Sequence, residues 1–311
     1  MRHWLGLALA TGLLVAGTAQ AETRLTFKSA KTGTSYYQMA VELAEAIRSA
    51  SDGQTVMTVE ESQGSVQNVM EVRARGADYV FTAPPPMVVD AVAGTGAFDG
   101  KAAPQFADIR ALFPMPSLTM HFVMAGEGPS GLEAMEGKRI LLGKGSFGAT
   151  EGAKYLDLFG MTDKITIADA ELSNAGDALT NGQIDGFVTA GSFPAPNVIE
   201  AAASDGVRLL SMTEAQVAET GQARVVIPAE TYPGQSADVV TTGLPVVAFA
   251  TTAMDEETAY ALTRNFWTER DRMAQNAPWW RGVTTDQIAL IGTLHPGAAR
   301  YYREIGVAIP E

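Results

Sequence analysis

The amino-acid sequence predicts an α/β fold of two lobes joined by a hinge, with a central ligand cleft. Three observations lead there. Strand-like apolar runs alternate with helix-periodic segments, the punctuation of βαβ units. A short pattern echoes itself: Arg75-Gly76-Ala77-Asp78-Tyr79-Val80-Phe81 and Asn181-Gly182-Gln183-Ile184-Asp185-Gly186-Phe187-Val188 each follow a helix and precede a loop. Two long extended stretches, Arg110 to Met124 (broken by Pro114 and Pro116) and Val239 to Thr251, flank the middle third and are placed to cross between lobes.

Taken in order, Arg24 to Lys28 is expected as a strand, Thr34 to Ala50 as a helix with Met39, Leu43 and Ile47 on one face, and Thr55 to Glu60 as a strand. Gly64-Ser65 opens a helix that carries Val66, Val69 and Met70 and ends at Arg75-Gly76, before a strand at Tyr79 to Phe81. The pattern returns with a strand at Lys138 to Leu142, a helix at Ala149 to Phe159 and a strand at Ile165 to Ala168. A helix from Asn174 to Asn181 then leads into Phe187-Val188. Asp255 to Gln275 and Thr285 to Arg303 are mostly helical by their spacing and are expected to pack back on the first lobe. The first lobe then takes residues 22–110 and 247–311, and the second residues 111–246.

At 311 residues, 46% of them hydrophobic, the chain has apolar material for one large domain or two ordinary ones. Arg2, the apolar run Trp4 to Ala16 and the small-residue site Ala19-Gln20-Ala21 form a secretory signal peptide over residues 1–21, with cleavage after Ala21 and a periplasmic destination. The run is short of the roughly 20 residues a membrane-spanning helix needs, and charged, Gly or Pro positions interrupt every later one. The formal charge of -13 disfavours nucleic acid and anionic lipid as partners, so an anion site must rely on local donors. With no cysteine, disulfides, thiolate ligands and thiol catalysis are excluded.

Three strand-to-helix loops are candidate sites. Lys31-Thr32-Gly33-Thr34-Ser35-Tyr36-Tyr37 presents backbone N–H groups, hydroxyls and a positive dipole end that suit a carboxylate, although Thr34 or Ser35 equally suits plain helix capping. Ser62-Gln63-Gly64-Ser65-Val66-Gln67-Asn68 allows close backbone approach at Gly64. Gly143-Lys144-Gly145-Ser146-Phe147-Gly148-Ala149-Thr150 has the G-x-G-x-x-G spacing of dinucleotide folds, and Asp163, Asp169 and Glu171 provide an acidic partner at about the right distance. Export argues against a nicotinamide cofactor, whereas the same helix start binds a plain anion, so no cofactor is expected. Beyond the leader only His121 and His295 remain, with no G-x-S-x-G elbow near either, and metal-ligand spacings are absent, so no metal site is expected. Trp279-Trp280-Arg281 suits ligand stacking or, more commonly, packing between elements.

Together these loops resemble the TAXI family, the solute-binding proteins of one class of TRAP transporter. Gly33-Thr34-Ser35-Tyr36-Tyr37 is similar to its G-G-T-Y-Y start, and Gly64-Ser65-Val66-Gln67-Asn68 to its G-S-V-x-N helix opening. Gly182-Gln183-Ile184-Asp185 followed by Pro194-Ala195-Pro196 resembles its G-Q-I-D to P-A-P segment. Thr231-Tyr232-Pro233-Gly234-Gln235 resembles Y-P-G-Q, and Leu294-His295-Pro296-Gly297-Ala298 resembles L-H-P-G-A. The resemblance implies a type II periplasmic binding protein that closes on glutamate, 2-oxoglutarate or a related small carboxylate and hands it to sodium-coupled TRAP transporter membrane subunits. The chain departs from the pattern at Phe147, inside the usual G-S-G-T opening, and at Thr82-Ala83-Pro84-Pro85-Pro86, where a Gln-Ser-Asp run is usual. Both departures are expected in the cleft and favour a more apolar or differently shaped solute.

On this reading Thr34, Ser35 and Tyr36 hold one end of the ligand, and Gln63, Gly64, Ser65 and Val66 contact it nearby, with Thr82 in the same cleft. Ser146, Phe147, Gly148, Ala149 and Thr150 close from the second lobe, Thr189, Ala190 and Gly191 line the floor, and Lys31 and Lys144 offset the carboxylate charge. A monomer without catalytic residues is expected. The rival readings are an exported hydrolase using His121 or His295, and an adhesive or structural protein.

Overall fold

The computed structural model of the chain describes residues 22–143 and 146–309. The leader expected over residues 1–21, and Lys144 with Gly145, lie outside the described residues.

The first half runs β1 (Thr23–Lys28), α1 (Ser35–Ala50), β2 (Thr55–Glu60), α2 (Ser65–Glu71), β3 (Tyr79–Ala83) and α3 (Pro85–Ala93). The long strand β4 (Ile109–Ala125) carries the chain across to β5 (Arg139–Leu141), α4 (Phe147–Leu158), β6 (Thr166–Ala168), α5 (Ala175–Thr180) and β7 (Gly186–Gly191). After α6 (Pro196–Asp205), β8 (Val207–Leu209), α7 (Glu214–Thr220) and β9 (Ala223–Ile227), β10 (Val239–Thr251) crosses back to α8 (Glu256–Asn276) and α9 (Pro296–Glu304).

The strands form one sheet in the order β2-β1-β3-β10-β4-β7-β5-β6, with β8 on β4 and β9 on β10. The parallel trio β2-β1-β3 recurs as the parallel trio β6-β5-β7, so each half is the same βαβαβ unit. The echoed segments of the sequence are the approaches to β3 and β7, the third strand of each unit. Between the trios, β10 and β4 run antiparallel to each other and to β3 and β7 respectively.

The β4–β10 pair is where the halves join. Its register shifts between Leu244 and Val246, which skips Pro245 on one strand and Pro116 with Ser117 on the other. A proline cannot donate to a ladder, and both prolines sit where the ladder is already interrupted. Pro114 stays in register opposite Val247, so β4 is continuous through the prolines read from sequence as breaks.

Core membership changes at the same place. Leu118 and Leu244 pack with the first half, among Phe27, Leu43, Phe81 and Phe113. Phe122 and Val188 on one side, and Val123 and Phe187 on the other, belong to two further clusters in the second half, as alternate side chains on a strand must. The C-terminal helices pack on the first core. Phe266 of α8 stacks on Phe113 at 4.2 Å between ring centroids, Trp280 is fully buried, and the Tyr302 hydroxyl of α9 donates to the Leu112 carbonyl at 2.9 Å. Each such side chain contributes about 1.5–3 kcal/mol by burial.

The structure adds elements that the sequence reading did not place. Pro85 and Pro196 open α3 and α6, because proline is tolerated in a first turn, where its missing N–H has no partner to lose. The stretch from Thr285 to Arg303, expected to be mostly helical, is a 3-10 segment (Thr285–Leu290) followed by α9.

A candidate ligand cleft between the halves

The loops after the parallel strands of both halves open on one cavity, at the carboxyl ends of the strands, where ligands bind in open α/β sheets. From the first half come Ser29, Ala30 and Lys31 after β1, Thr34 and Tyr36 at the start of α1, Gln63, Gly64 and Ser65 after β2, and Thr82 on β3. The second half contributes Ser146, Phe147 and Gly148 at the start of α4, Leu172 after β6 and Ala190 on β7. Leu118 of β4 and Val246 of β10 complete the wall from the two crossing strands. The cavity, about 60 Å³, is roomier than the roughly 10–15 Å³ that one water needs.

The two helix starts are built alike. Thr34 Oγ1 accepts from the Tyr37 N–H at 3.3 Å and donates to the Lys31 carbonyl at 2.7 Å. Ser146 Oγ accepts from the Ala149 N–H at 3.0 Å and donates to the Gly143 carbonyl at 2.7 Å. Both hydroxyls are thus committed to capping. What these turns offer a guest is backbone: N–H groups of a first helical turn have no intrahelical carbonyl to bond.

The halves are in contact across the cavity. A Cβ built on Gly64 would lie 3.8 Å from the Phe147 nitrogen, and one on Gly191 only 2.8 Å from Ser35 Oγ. Phe147 is 7% exposed and packs in the core of the first half although it belongs to the second. At the rim, Lys31 Nζ of the first half donates to the Glu171 carboxylate of the second, with the lysine side chain 11% exposed.

Beneath the cavity, Asn68 Nδ2 donates to the Ser29 carbonyl at 2.7 Å and the Thr82 carbonyl at 3.0 Å, while the Ser29 and Thr82 hydroxyls bond each other at 2.9 Å. Asn68 Oδ1 and Ser35 Oγ are buried with no hydrogen-bond partner among the described residues. Tyr36 lines the wall with its ring but sends its hydroxyl to the Pro116 carbonyl at the bulge, and burial raises its pKa.

The structure does not bring every expected residue to the wall. Val66 packs on the first core and Ala149 on the second. Thr150 Oγ1 turns back to the Ser146 carbonyl, Thr189 Oγ1 accepts from Asn197, and Ser35 faces Gly191. Lys144 lies outside the described residues. Lys31 reaches the cavity already paired with Glu171 rather than free to neutralise a guest. Of the two departures from the family pattern, Phe147 is in the cavity, and the second is split: Thr82 lines the cavity, whereas Pro85 lines a separate hollow with Val89 and Phe249, because it opens a helix that leads away. Sequence reasoning missed Ser29, Ala30, Leu118, Leu172 and Val246. Only Ser29 and Ala30 carried a signal, as neighbours of the first loop; the others are apolar residues brought in by the fold.

Both histidines are structural. His121 is buried, with Nδ1 2.9 Å from the Thr119 carbonyl and Nε2 2.7 Å from the Tyr232 hydroxyl. A carbonyl only accepts, so Nδ1 carries the proton and Nε2 accepts from the tyrosine. Burial pushes its pKa down to about 4. His295 caps α9, Nδ1 accepting from the Gly297 N–H at 3.2 Å and Nε2 lying 3.0 Å from the Met254 carbonyl, and burial lowers its pKa too. Neither lines the cavity. Trp279 and Trp280 both donate to Glu42, a packing role. Among the described residues there is no group of three or more His, Cys, Asp or Glu arranged to hold a metal ion, and no helix is long and apolar enough to cross a membrane.

Repeated βαβαβ halves, two crossing strands and a cleft at the strand ends define the fold of the periplasmic solute-binding proteins. Solved structures share it. MatC from Rhodopseudomonas palustris, with bound malate, is 13% identical and aligns over 92% of this chain and 96% of its own with a TM-score of 0.57. The periplasmic binding protein BugD is 13% identical over 94% of this chain and 99% of its own, at 0.54. A Bordetella bronchiseptica RB50 protein is 15% identical over 93% and 86%, at 0.50. At these identities the likeness is one of fold. The model of the NMT1-like family matches residues 27–306, and the chain belongs to that family.

Proposed function

We propose that this chain is an exported solute-binding protein that captures a small carboxylate between its lobes and delivers it to a TRAP-type membrane transporter. The observation that carries this reading is the single cavity walled by equivalent helix starts of the two halves. First-turn N–H groups and the positive ends of the α1 and α4 dipoles suit an anion in spite of the chain's net charge of -13. A guest touching both lobes binds the closed form better than the open one, and only that difference drives closure. The transporter then has a lobe geometry to read. MatC, of the same fold, holds malate, and the TAXI resemblance supplies the partner and the wider ligand class of glutamate, 2-oxoglutarate and their relatives.

In this reading residues 1–21 are a leader cleaved after Ala21, and the mature chain works as a periplasmic monomer. The lobes are residues 22–110 with 247–311, and 111–246. The hinge lies at the β4–β10 bulge, a few residues inside the second of these segments. The chain binds without turnover, since both histidines are committed to structural hydrogen bonds.

The test is a thermal-shift screen of the purified mature chain against amino acids, oxo acids, dicarboxylates and short fatty acids, followed by calorimetric titration. A carboxylate that raises the melting temperature and is recovered unchanged supports the proposal. No shift with any of them contradicts it.

A further inference from the structure

We infer that the cleft selects small monocarboxylates with a short apolar tail over dicarboxylates, and that Glu171 enforces this choice by holding Lys31. The inference rests on the carboxylate-capture reading and narrows its ligand class. Three observations carry it. Lys31 is the one cationic side chain among the described residues lining the cavity, and its ammonium is already bonded to Glu171 from the opposite half. A dicarboxylate would need a second cation or would have to displace Glu171, and burying an unpaired carboxylate is strongly unfavourable. Away from the helix starts the wall is largely apolar, made by Ala30, Leu118, Leu172, Ala190 and Val246, and the Phe147 ring adds to it from the start of α4. The hydroxyls that line the cavity are mostly spent. Thr34 and Ser146 cap helices, and Ser29 and Thr82 bond each other.

Glu171 is in this account a positioning residue. It acts through Lys31, and its own side chain is 50% exposed at the rim. Replacing it by glutamine keeps the shape of the side chain and removes the charge, which leaves Lys31 free to meet a second carboxylate of the guest. A charge-assisted hydrogen bond of this kind changes affinity by about tenfold or more.

The experiment is calorimetric titration of the full mature chain and of its Glu171→Gln variant with isobutyrate, 2-oxobutyrate, succinate and glutamate. The wild type is expected to bind the two monocarboxylates at least about tenfold more tightly than the two dicarboxylates. In Glu171→Gln that ratio should fall by about tenfold, and the gain for succinate should disappear again in Lys31→Met/Glu171→Gln. A general loosening of closure would weaken both classes alike and leave the ratio unmoved, so the ratio isolates the role given to Glu171. Wild-type preference for succinate or glutamate, or an unchanged ratio in the variant, overturns this inference while leaving carboxylate capture intact. Binding of none of the four acids to either protein overturns this inference, and silence of the wider thermal-shift screen as well overturns carboxylate capture with it.

Discussion

The two βαβαβ halves share strand order and capped helix starts, yet they differ in what secures them. In the first, a charge cluster ties β1, β2 and α2 together: Lys28, almost fully buried, donates to Glu71 at 2.6 Å, and Arg75 reaches Glu60 at 2.6 Å and Glu71 at 3.0 Å while lying over the Tyr79 ring. Burial pushes the Glu71 carboxyl up, but hydrogen bonds from Lys28, Gln67 and Arg75 outweigh it and hold its pKa below the ordinary value. In the second half a partly exposed pair, Arg139 with Asp185, lies instead at the opposite end of the strands, where β5 and β7 begin. The distinctive feature of that half is Phe147, which leaves its own half to pack in the core of the other. The strand plan is therefore common to both halves, while the loops decide which half anchors and which reaches across.

The sharpest way to break the comparison is to remove the reaching ring. Phe147→Ala is expected to cost about 3 to 5 kcal/mol of stability, as for other buried phenylalanines, and to abolish carboxylate binding. Urea unfolding and calorimetry check both effects, and Leu172→Ala, at a position that stays within its own half, should spare more of the first core.

Next in size is the histidine of the second half. Between its ordinary value of 6.5 and the folded value of about 4, the unfolded chain takes a proton at His121 that the folded chain refuses. Stability is thus fully present above pH 6.5 and is lost as pH falls towards 4, by an amount of order 3 kcal/mol. His121→Asn should flatten that limb of the stability–pH curve. Glu71 and Asp185, both held below their ordinary values, add a further loss at lower pH, where they begin to protonate.

Smaller effects sharpen the likeness of the helix starts. A Cβ at Gly148 would meet the Ala190 nitrogen at 2.7 Å, so Gly148→Ala should destabilise by about 1–3 kcal/mol through a shift of α4 on β7. Thr34→Ala and Ser146→Ala should each cost about 1 kcal/mol, the usual value of a lost N-cap. Equal losses in thermal unfolding would support equivalent capping roles in the two halves.

What the sequence made legible follows from what its signals report. β2 and β10 have the boundaries read from alternation and apolar runs, and the echo at Arg75 and Asn181 marks the third strand of each repeat. The loops at Lys31, Gln63 and Ser146 were visible because strand-to-helix junctions have local chemistry. Leu118, Leu172 and Val246 were not, since an apolar residue acquires a place in a cleft only through the packing of distant segments. The prolines read as breaks misled, and the helices that other prolines open were not foreseen. Pro85 and Pro196 start helices, and Pro114 sits inside a continuous strand.

The central claim is that one guest is held by both halves at once. Hydrogen–deuterium exchange of the mature chain with and without saturating isobutyrate tests it directly. The account predicts added protection at residues 29–36 and at residues 146–150 together, with little change in α8. Protection confined to one half, or appearing only away from the cavity, would contradict it.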